Sequence, residues 1–180
     1  MYRDNSLIPL EAMRIAALGA LAEKPMRYAE IAADVRRFAS RIVGPSLDLM
    51  GTSVEVLRAE GLIGPADAGE DPLLILTPSG REDLVTLLKA GIRATNTELN
   101  RLVVALKIRF LHLLPPHDRL DQIRLLQSLL TGERERYADL QASGGSHPLF
   151  NDWLRFEIEV LDARLAWFER FSQRCDQAEC

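Results

Sequence analysis

Long apolar runs, disulfide frameworks and secretion signals are missing from this sequence, and each absence excludes a class of protein. No apolar stretch approaches the roughly 20 residues that a membrane-spanning helix needs. The only two cysteines among 180 residues are Cys175 and Cys180, in the polar tail, so we expect exposed, reduced thiols. The first residues lack the apolar core of a signal peptide, and we therefore expect a cytoplasmic protein.

Side-chain combinations that carry enzymatic or metal chemistry are also lacking. His112 and His117 flank a double proline that spoils them as a helical ligand pair, and His147 lies far along the chain. No serine or cysteine stands in a motif with a base, and no glycine-rich phosphate loop occurs. We expect no catalytic residue, no metal and no cofactor, hence a protein that is not an enzyme.

The composition that is present is ordinary for a folded, soluble protein. Hydrophobic residues make up 47% of the chain and charged residues 27%, which argues against disorder. The net charge of −4 argues against a protein that coats nucleic acid indiscriminately, but it leaves room for a local basic patch.

The stretch from Ser46 to Arg81 has the clearest structural pattern. Its first apolar residues recur every three or four positions: Leu47, Met50, Val54 and Leu57. This spacing predicts one face of a helix, with Ser46 as its N-cap and Gly61 as its left-handed end. Two short strands around 62–63 and 73–76 follow, joined by an acidic turn. Thr77 and Pro78 then begin another helix.

The order of elements predicts the fold class. Two helices at about 10–21 and 28–38 precede the stretch, so the fold is mainly α, beginning with a winged helix-turn-helix with a two-stranded wing. Further helices at about 95–114, 117–142 and 148–173 follow. We expect a DNA-binding-like domain with its connecting helix at residues 1–92 and a C-terminal helical dimerisation domain at residues 93–180.

The last predicted helix carries two adjacent apolar stripes instead of one. The first stripe consists of Leu149, Trp153, Phe156, Val160, Ala163 and Trp167. The second consists of Leu154, Ile158, Leu161, Leu165 and Phe168. A surface helix of a monomer needs only one stripe, so we expect a homodimer with Trp153, Phe156, Val160, Ala163 and Trp167 at its interface. The alternative is an internal helix of a monomeric bundle.

Four segments together resemble one protein family. They are Lys24–Ile31, Leu57–Ile63, Leu76–Arg81 and the tail Ala163–Phe168. The chain resembles the PadR-like transcriptional regulators, and within them the AphA-like subgroup. The short motifs are shared by several winged-helix families, and the helical tail adds the weight. The resemblance implies a homodimer that binds a pseudo-palindromic operator in double-stranded DNA and usually represses transcription.

Two departures from the family pattern bear on DNA binding. Members commonly carry tyrosine in the recognition helix where this chain has Gly51, and the wing carries Asp67, Glu70 and Asp71 where relatives often have basic residues. Eight basic side chains in residues 1–80 stand against eleven acidic ones. Phosphate contacts supply much of the affinity for DNA and require cations or amide donors.

A local cluster of cations offsets this acidity. Lys24, Arg27, Arg36, Arg37 and Arg41 lie in or beside the second helix, which crosses the DNA backbone in a helix-turn-helix. The predicted DNA-binding residues are Arg27, Tyr28, Arg36, Arg37, Arg41, Ser46, Thr52 and Ser53.

A second hypothesis follows from the acidic residues. A winged-helix protein that has lost DNA binding could dock its acidic face on a basic partner such as another regulator or a nucleic-acid-binding protein. That face consists of the wing residues Asp67, Glu70 and Asp71 and of Asp48 and Glu55 in the recognition helix. A small aromatic effector near Trp153 and Trp167 is a further alternative to plain packing, since some relatives bind one.

Overall fold

In the computed structural model, an alanine-rich helix, α1 (Pro9–Glu23), forms the centre of the N-terminal part of the chain. Alanine has the highest helix propensity, and its small side chain lets neighbouring elements approach closely. The buried residues of α1 are Ala12, Met13, Ile15, Ala16, Ala17, Leu18, Ala20 and Leu21. A helix buried on all sides needs partners all round, and α1 contacts four other helices and the wing.

Two compact units make up the chain, Met1–Leu114 and Pro115–Cys180, and the structure describes residues 9–44, 53–92, 98–144 and 147–176. The sequence predicts a domain boundary between residues 92 and 93. In the structure helix α5 (Glu98–Arg109) packs on α1 and on the second helix, so it belongs to the N-terminal unit. The boundary therefore lies after the short 3-10 helix Leu111–Leu113.

The second and third helices form the helix-turn-helix. Helix α2 (Tyr28–Val43) buries residues spaced four apart: Ile31, Val35, Ala39 and Val43. It continues past the predicted end at residue 38 because this apolar spacing continues, and it stops at Gly44, whose φ of 83° favours glycine. Helix α3 (Ser53–Ala59) buries Val54 and Leu57, as predicted. Its predicted beginning, residues 46–52, lies outside the described residues.

The wing is an antiparallel pair of three-residue strands. Strand β1 (Ile63–Pro65) pairs with β2 (Leu74–Leu76) in the register Ile63 to Leu76 and Pro65 to Leu74. Met26, before α2, pairs with Leu74, so β2 also bonds to the chain at the start of the helix-turn-helix. Gly61 has a φ of 74°, which is the left-handed residue expected at the end of α3.

The start of helix α4 (Pro78–Lys89) packs against the turn between α3 and β1. Its N-cap hydroxyl, Thr77 Oγ1, accepts a hydrogen bond from Gly80 N and lies 2.8 Å from the carbonyl oxygen of Gly61. A side-chain carbon at Gly80 would overlap the carbonyl of Leu62. The segment Leu76–Arg81, one of the four that resemble the family, thus contains a glycine at which two backbone segments are in contact.

Two charged side chains, Arg14 and Lys107, link helices of the N-terminal unit to one another. Arg14 of α1 pairs with Glu60 at 2.5 Å and with Asp83 of α4 at 3.4 Å. Lys107 of α5 is 1% exposed and donates to the carbonyl oxygens of Leu88 at 2.5 Å and Ala90 at 2.7 Å, which end α4. Burial lowers the pKa of Lys107 to about 8.

The C-terminal unit is a hairpin of two long helices, α6 (Pro116–Ala142) and α7 (Pro148–Asp176), packed along their length. The buried residues of α7 recur every seven positions: Leu154, Leu161, Phe168 and Cys175. A seven-residue repeat keeps one seam of a helix against its partner, as in coiled coils. The mainly helical fold with an N-terminal winged helix-turn-helix is confirmed.

The expectation of an exposed, reduced Cys175 is wrong. Its side chain is 3% exposed, because the seven-residue repeat carries it onto the buried seam of α7, and it is disulfide-bonded. Within the described ranges, no helix has the length and apolarity needed to cross a membrane.

Candidate nucleic-acid interface

Helix α2 presents two arginines that have no acidic partner in the part of the chain that the structure describes. Arg36 and Arg41 are exposed, and among the described residues neither forms an ion pair. Tyr28, at the start of the same helix, is also exposed. Exposed, unpaired guanidinium groups are suited to phosphate oxygens because their donors are already in water.

Arg27 and Arg37 differ from these two because each has an intramolecular carboxylate. Arg27 Nε lies 3.6 Å from Asp71 of the wing, and its backbone N–H donates to Glu30 at 2.8 Å at the start of α2. Arg37 Nη2 donates to Asp34 at 2.7 Å. A DNA phosphate would have to compete with these carboxylates, so the two arginines are weaker candidates than Arg36 and Arg41.

Asp34 joins two arginines from different helices. Its Oδ1 accepts from Arg37, and its Oδ2 accepts from Arg109 of α5 at 2.9 Å. Burial alone would raise the pKa of Asp34, but the hydrogen bonds from the two arginines hold that pKa below its usual value. The carboxylate is therefore charged at neutral pH and keeps α2 bound to α5.

The recognition helix contributes one cation that the sequence analysis did not select. Ser46 and Thr52 lie outside the described residues, and Ser53 begins α3, its side chain being undescribed. Arg58 is exposed, and no carboxylate among the described residues pairs with it. Consecutive residues of a helix point about 100° apart, so the predicted burial of Leu57 is a signal that could have identified Arg58 as a surface residue.

Two of the three acidic residues of the wing have structural partners. Asp67 Oδ1 accepts the backbone N–H of Leu73 at 2.9 Å and closes the hairpin, and Asp71 pairs with Arg27. Glu70 alone is exposed without a partner within the described part of the wing. Two of the three wing carboxylates predicted for docking a basic protein are thus bonded within the winged helix.

Helix α7 leaves its first apolar stripe uncovered in the single chain. Leu149 is 73% exposed, Phe156 58% and Trp153 44%, while Leu154, Leu161 and Phe168 of the second stripe are buried. Ala163 and Trp167 are exposed as well, and Val160 is half-buried. Contiguous apolar surface of this kind marks a protein–protein interface more often than free surface.

Trp153 and Trp167 belong to separate aromatic groups. Trp153 stacks on Phe150 with a centroid distance of 5.4 Å, and Trp167 stacks on Phe171 at 4.8 Å. The two indoles are about 21 Å apart along the helix axis, given the rise of a helix per residue. Within one chain they do not form a single aromatic pocket.

Sequence comparison decides the family. The family described as AphA-like transcriptional regulators matches residues 2–172, nearly the whole chain. The chain belongs to this family. The resemblance inferred from the short motifs and the helical tail is thereby confirmed.

Comparisons with curated proteins and with solved structures add no support to the family assignment. No curated protein matches the chain. Among solved structures, it is similar to Bacillus subtilis PadR in complex with operator DNA, with 20% identity, 91% of this chain and 99% of that chain covered, and a TM-score of 0.35. The family match carries the assignment, and the roles of individual residues rest on the geometry above.

Proposed function

We propose that this AphA-like regulator is a cytoplasmic homodimer that binds operator DNA through its winged helix and acts as a repressor. The family assignment supports transcriptional regulation. The observation that carries DNA binding is the pair of exposed arginines on α2, Arg36 and Arg41, neither of which forms an ion pair with a described residue. Arg58 of α3 adds a third cation. Two copies would double these contacts, which matters for a chain with a net charge of −4.

Repression is the sign of regulation that the resemblance to PadR-like proteins favours. A dimer seated on a promoter excludes the transcription machinery without further contacts. A reporter gene under the protein's own promoter should rise in expression when the regulator is deleted, whereas a fall would make it an activator.

The test of DNA binding is a salt series with fragments of the protein's own promoter region. We expect Arg36→Ala with Arg41→Ala to weaken binding to all sequences by about tenfold and to flatten the dependence of log affinity on log salt, because phosphate contacts release counterions. Arg37→Ala should have a smaller effect, since Asp34 already binds that side chain.

The matched control is Arg170→Ala, which removes an exposed arginine of α7 in the other unit. It removes one positive charge, as Arg37→Ala does and half as many as the double variant, and it should leave the salt dependence unchanged. Absence of any complex between the wild-type protein and these fragments at low salt would overturn DNA binding. The rival, docking on a basic protein, is less favoured because Asp67 and Asp71 already have partners.

A further inference from the structure

A cleft of about 390 Å³ opens in the N-terminal unit between the end of α1, the first half of α2 and the end of α5. This volume falls in the range of small-molecule sites. Six charged side chains line it, three of each sign: Glu23, Glu30, Asp34, Lys24, Arg37 and Arg109. A cleft lined by equal numbers of positively and negatively charged side chains favours a ligand that itself carries a positive and a negative group.

Arg109 forms a fixed cationic wall of this cleft. Its guanidinium lies 4.9 Å from the ring centre of Phe38 and 4.8 Å from that of Phe110, and its Nη2 donates to Asp34. Its other two nitrogens have no hydrogen-bond acceptor among the described residues. A guanidinium held in place with unused donors is suited to a carboxylate, which it binds in a bidentate manner.

An anionic partner lies next to this cation. Glu23 Oε2 is 3.9 Å from Arg109 Nη2, too far for a hydrogen bond, and the Glu23 side chain is 40% exposed. A group carrying a carboxylate and an ammonium on one carbon would place the carboxylate on Arg109 and the ammonium on Glu23. Ligands with two like charges would leave one of these side chains opposed by its own sign.

The remaining lining is apolar and small. Ala20, Met26 and Ala33 supply it, and Ala20 and Met26 are buried. These side chains fit an aliphatic group of modest size and offer no hydrogen bond to a polar one.

We propose that this cleft binds a free α-amino acid with an aliphatic side chain, whose carboxylate contacts Arg109 and whose ammonium contacts Glu23. The ligand bridges α1, α2 and α5, so its binding stabilises the packing of the helix-turn-helix. The site goes beyond the proposed function, because occupancy of the cleft does not require DNA.

The experiment uses the full chain and thermal unfolding with L-alanine, L-valine, L-leucine and L-methionine as probes. We expect at least one of them to raise Tm by about 3 °C at ten times its Kd. Two control compounds share the leucine side chain but carry only one of its two charged groups. They are 4-methylpentanoate, which has the carboxylate alone, and 3-methylbutylamine, which has the ammonium alone. Neither should shift Tm at the same concentration.

Variants locate the site. Glu23→Gln should weaken binding of the effective amino acid about tenfold in calorimetry, because it removes the charge that meets the ammonium. Arg109→Lys should weaken it similarly by removing the bidentate contact. Glu82→Gln, an exposed change on α4 outside the cleft, should leave binding unchanged.

Three outcomes overturn the proposal. The first is that none of the four amino acids raises Tm. The second is that 4-methylpentanoate or 3-methylbutylamine raises Tm as much as the effective amino acid does. The third is that Glu23→Gln binds this amino acid as tightly as the wild type. Glu23 is substantially exposed and its replacement leaves the Asp34–Arg109 pair in place, so a folded variant is expected for this decisive measurement. Loss of DNA binding alone would not touch the proposal.

Discussion

At the scale of single residues, the N-terminal unit depends on positions whose side chains are absent or unusual. Gly80 has no side chain because the carbonyl of Leu62 occupies that space. Lys107 is charged, yet it lies where a core residue would be expected. Both positions connect α4 to its neighbours, the first at its beginning and the second at its end.

Replacing Gly80 with alanine should lower the free energy of unfolding by about 3 kcal/mol, because a backbone carbonyl cannot move aside as a side chain does. Chemical denaturation measures this directly. The matched control is Gly69→Ala in the wing turn, where nothing lies near an added carbon, and it should change stability by less than about 0.5 kcal/mol. Equal effects of the two changes would contradict the close contact with Leu62.

Lys107 should make stability depend on pH above neutrality. Its pKa is about 8 in the folded protein and 10.5 ordinarily, so the unfolded chain binds this proton more tightly between those values. Stability therefore rises with pH across that window. Compared with Lys107→Met, the wild type should gain up to about 3 kcal/mol of unfolding free energy from below pH 8 to above pH 10.5.

Denaturation of both proteins at a series of pH values tests this. Subtracting the variant removes the contribution of all other titrating groups, which the two proteins share. A difference that stays constant would show that Lys107 keeps its ordinary affinity for the proton when buried, and one that falls as pH rises would show that folding raises this affinity. Either result would contradict the expectation.

At the scale of elements, an acidic residue in the turn of the wing stabilises the hairpin itself. The side chain of Asp67 accepts a hydrogen bond from the N–H of Leu73, and Ala66 N donates to Leu73 O at 2.7 Å. Both backbone polar groups of Leu73 are therefore hydrogen-bonded across the turn. A hairpin of two three-residue strands has few other bonds, and each one matters more than in a large sheet.

Asp67→Ala should destabilise the wing by about 1 kcal/mol, because it removes the acceptor for a backbone N–H. Hydrogen exchange at the Leu73 amide should quicken accordingly. Asp67→Asn keeps an acceptor oxygen and should cost less, which separates the hydrogen bond from the charge. If the two variants exchange at the same rate as the wild type, Asp67 is free to meet a partner.

The elements themselves were largely predictable from sequence, whereas their connections were not. Apolar spacing predicted the inward faces of α3 and α7, and the cap residue Thr77 predicted the start of α4. The pairings of Arg14 with Glu60 and of Arg109 with Asp34 join residues 46 and 75 positions apart. Local patterns carry no information on such pairs. The pair of Arg37 with Asp34 is different, because the two residues lie three positions apart on α2 and helical spacing alone indicates that they can meet.

At the scale of the whole molecule, the uncovered stripe of α7 argues for assembly. We expect a mass of twice 20.2 kDa in sedimentation equilibrium. Phe156→Glu should yield monomers, because it places a charge at the most central of the strongly exposed aromatic positions. Glu159→Arg alters charge on the polar face of the same helix and should leave the dimer intact. A wild-type monomer at micromolar concentration would exclude this interface.

The position of the two tryptophans on α7 has a spectroscopic consequence. The chain contains no others, and both indoles are partly exposed, at 44% and 39%. The near-ultraviolet emission of the protein therefore reports almost entirely on one stripe of one helix. A shift of that emission to shorter wavelength with rising concentration would record the covering of this surface, without any label and independently of DNA.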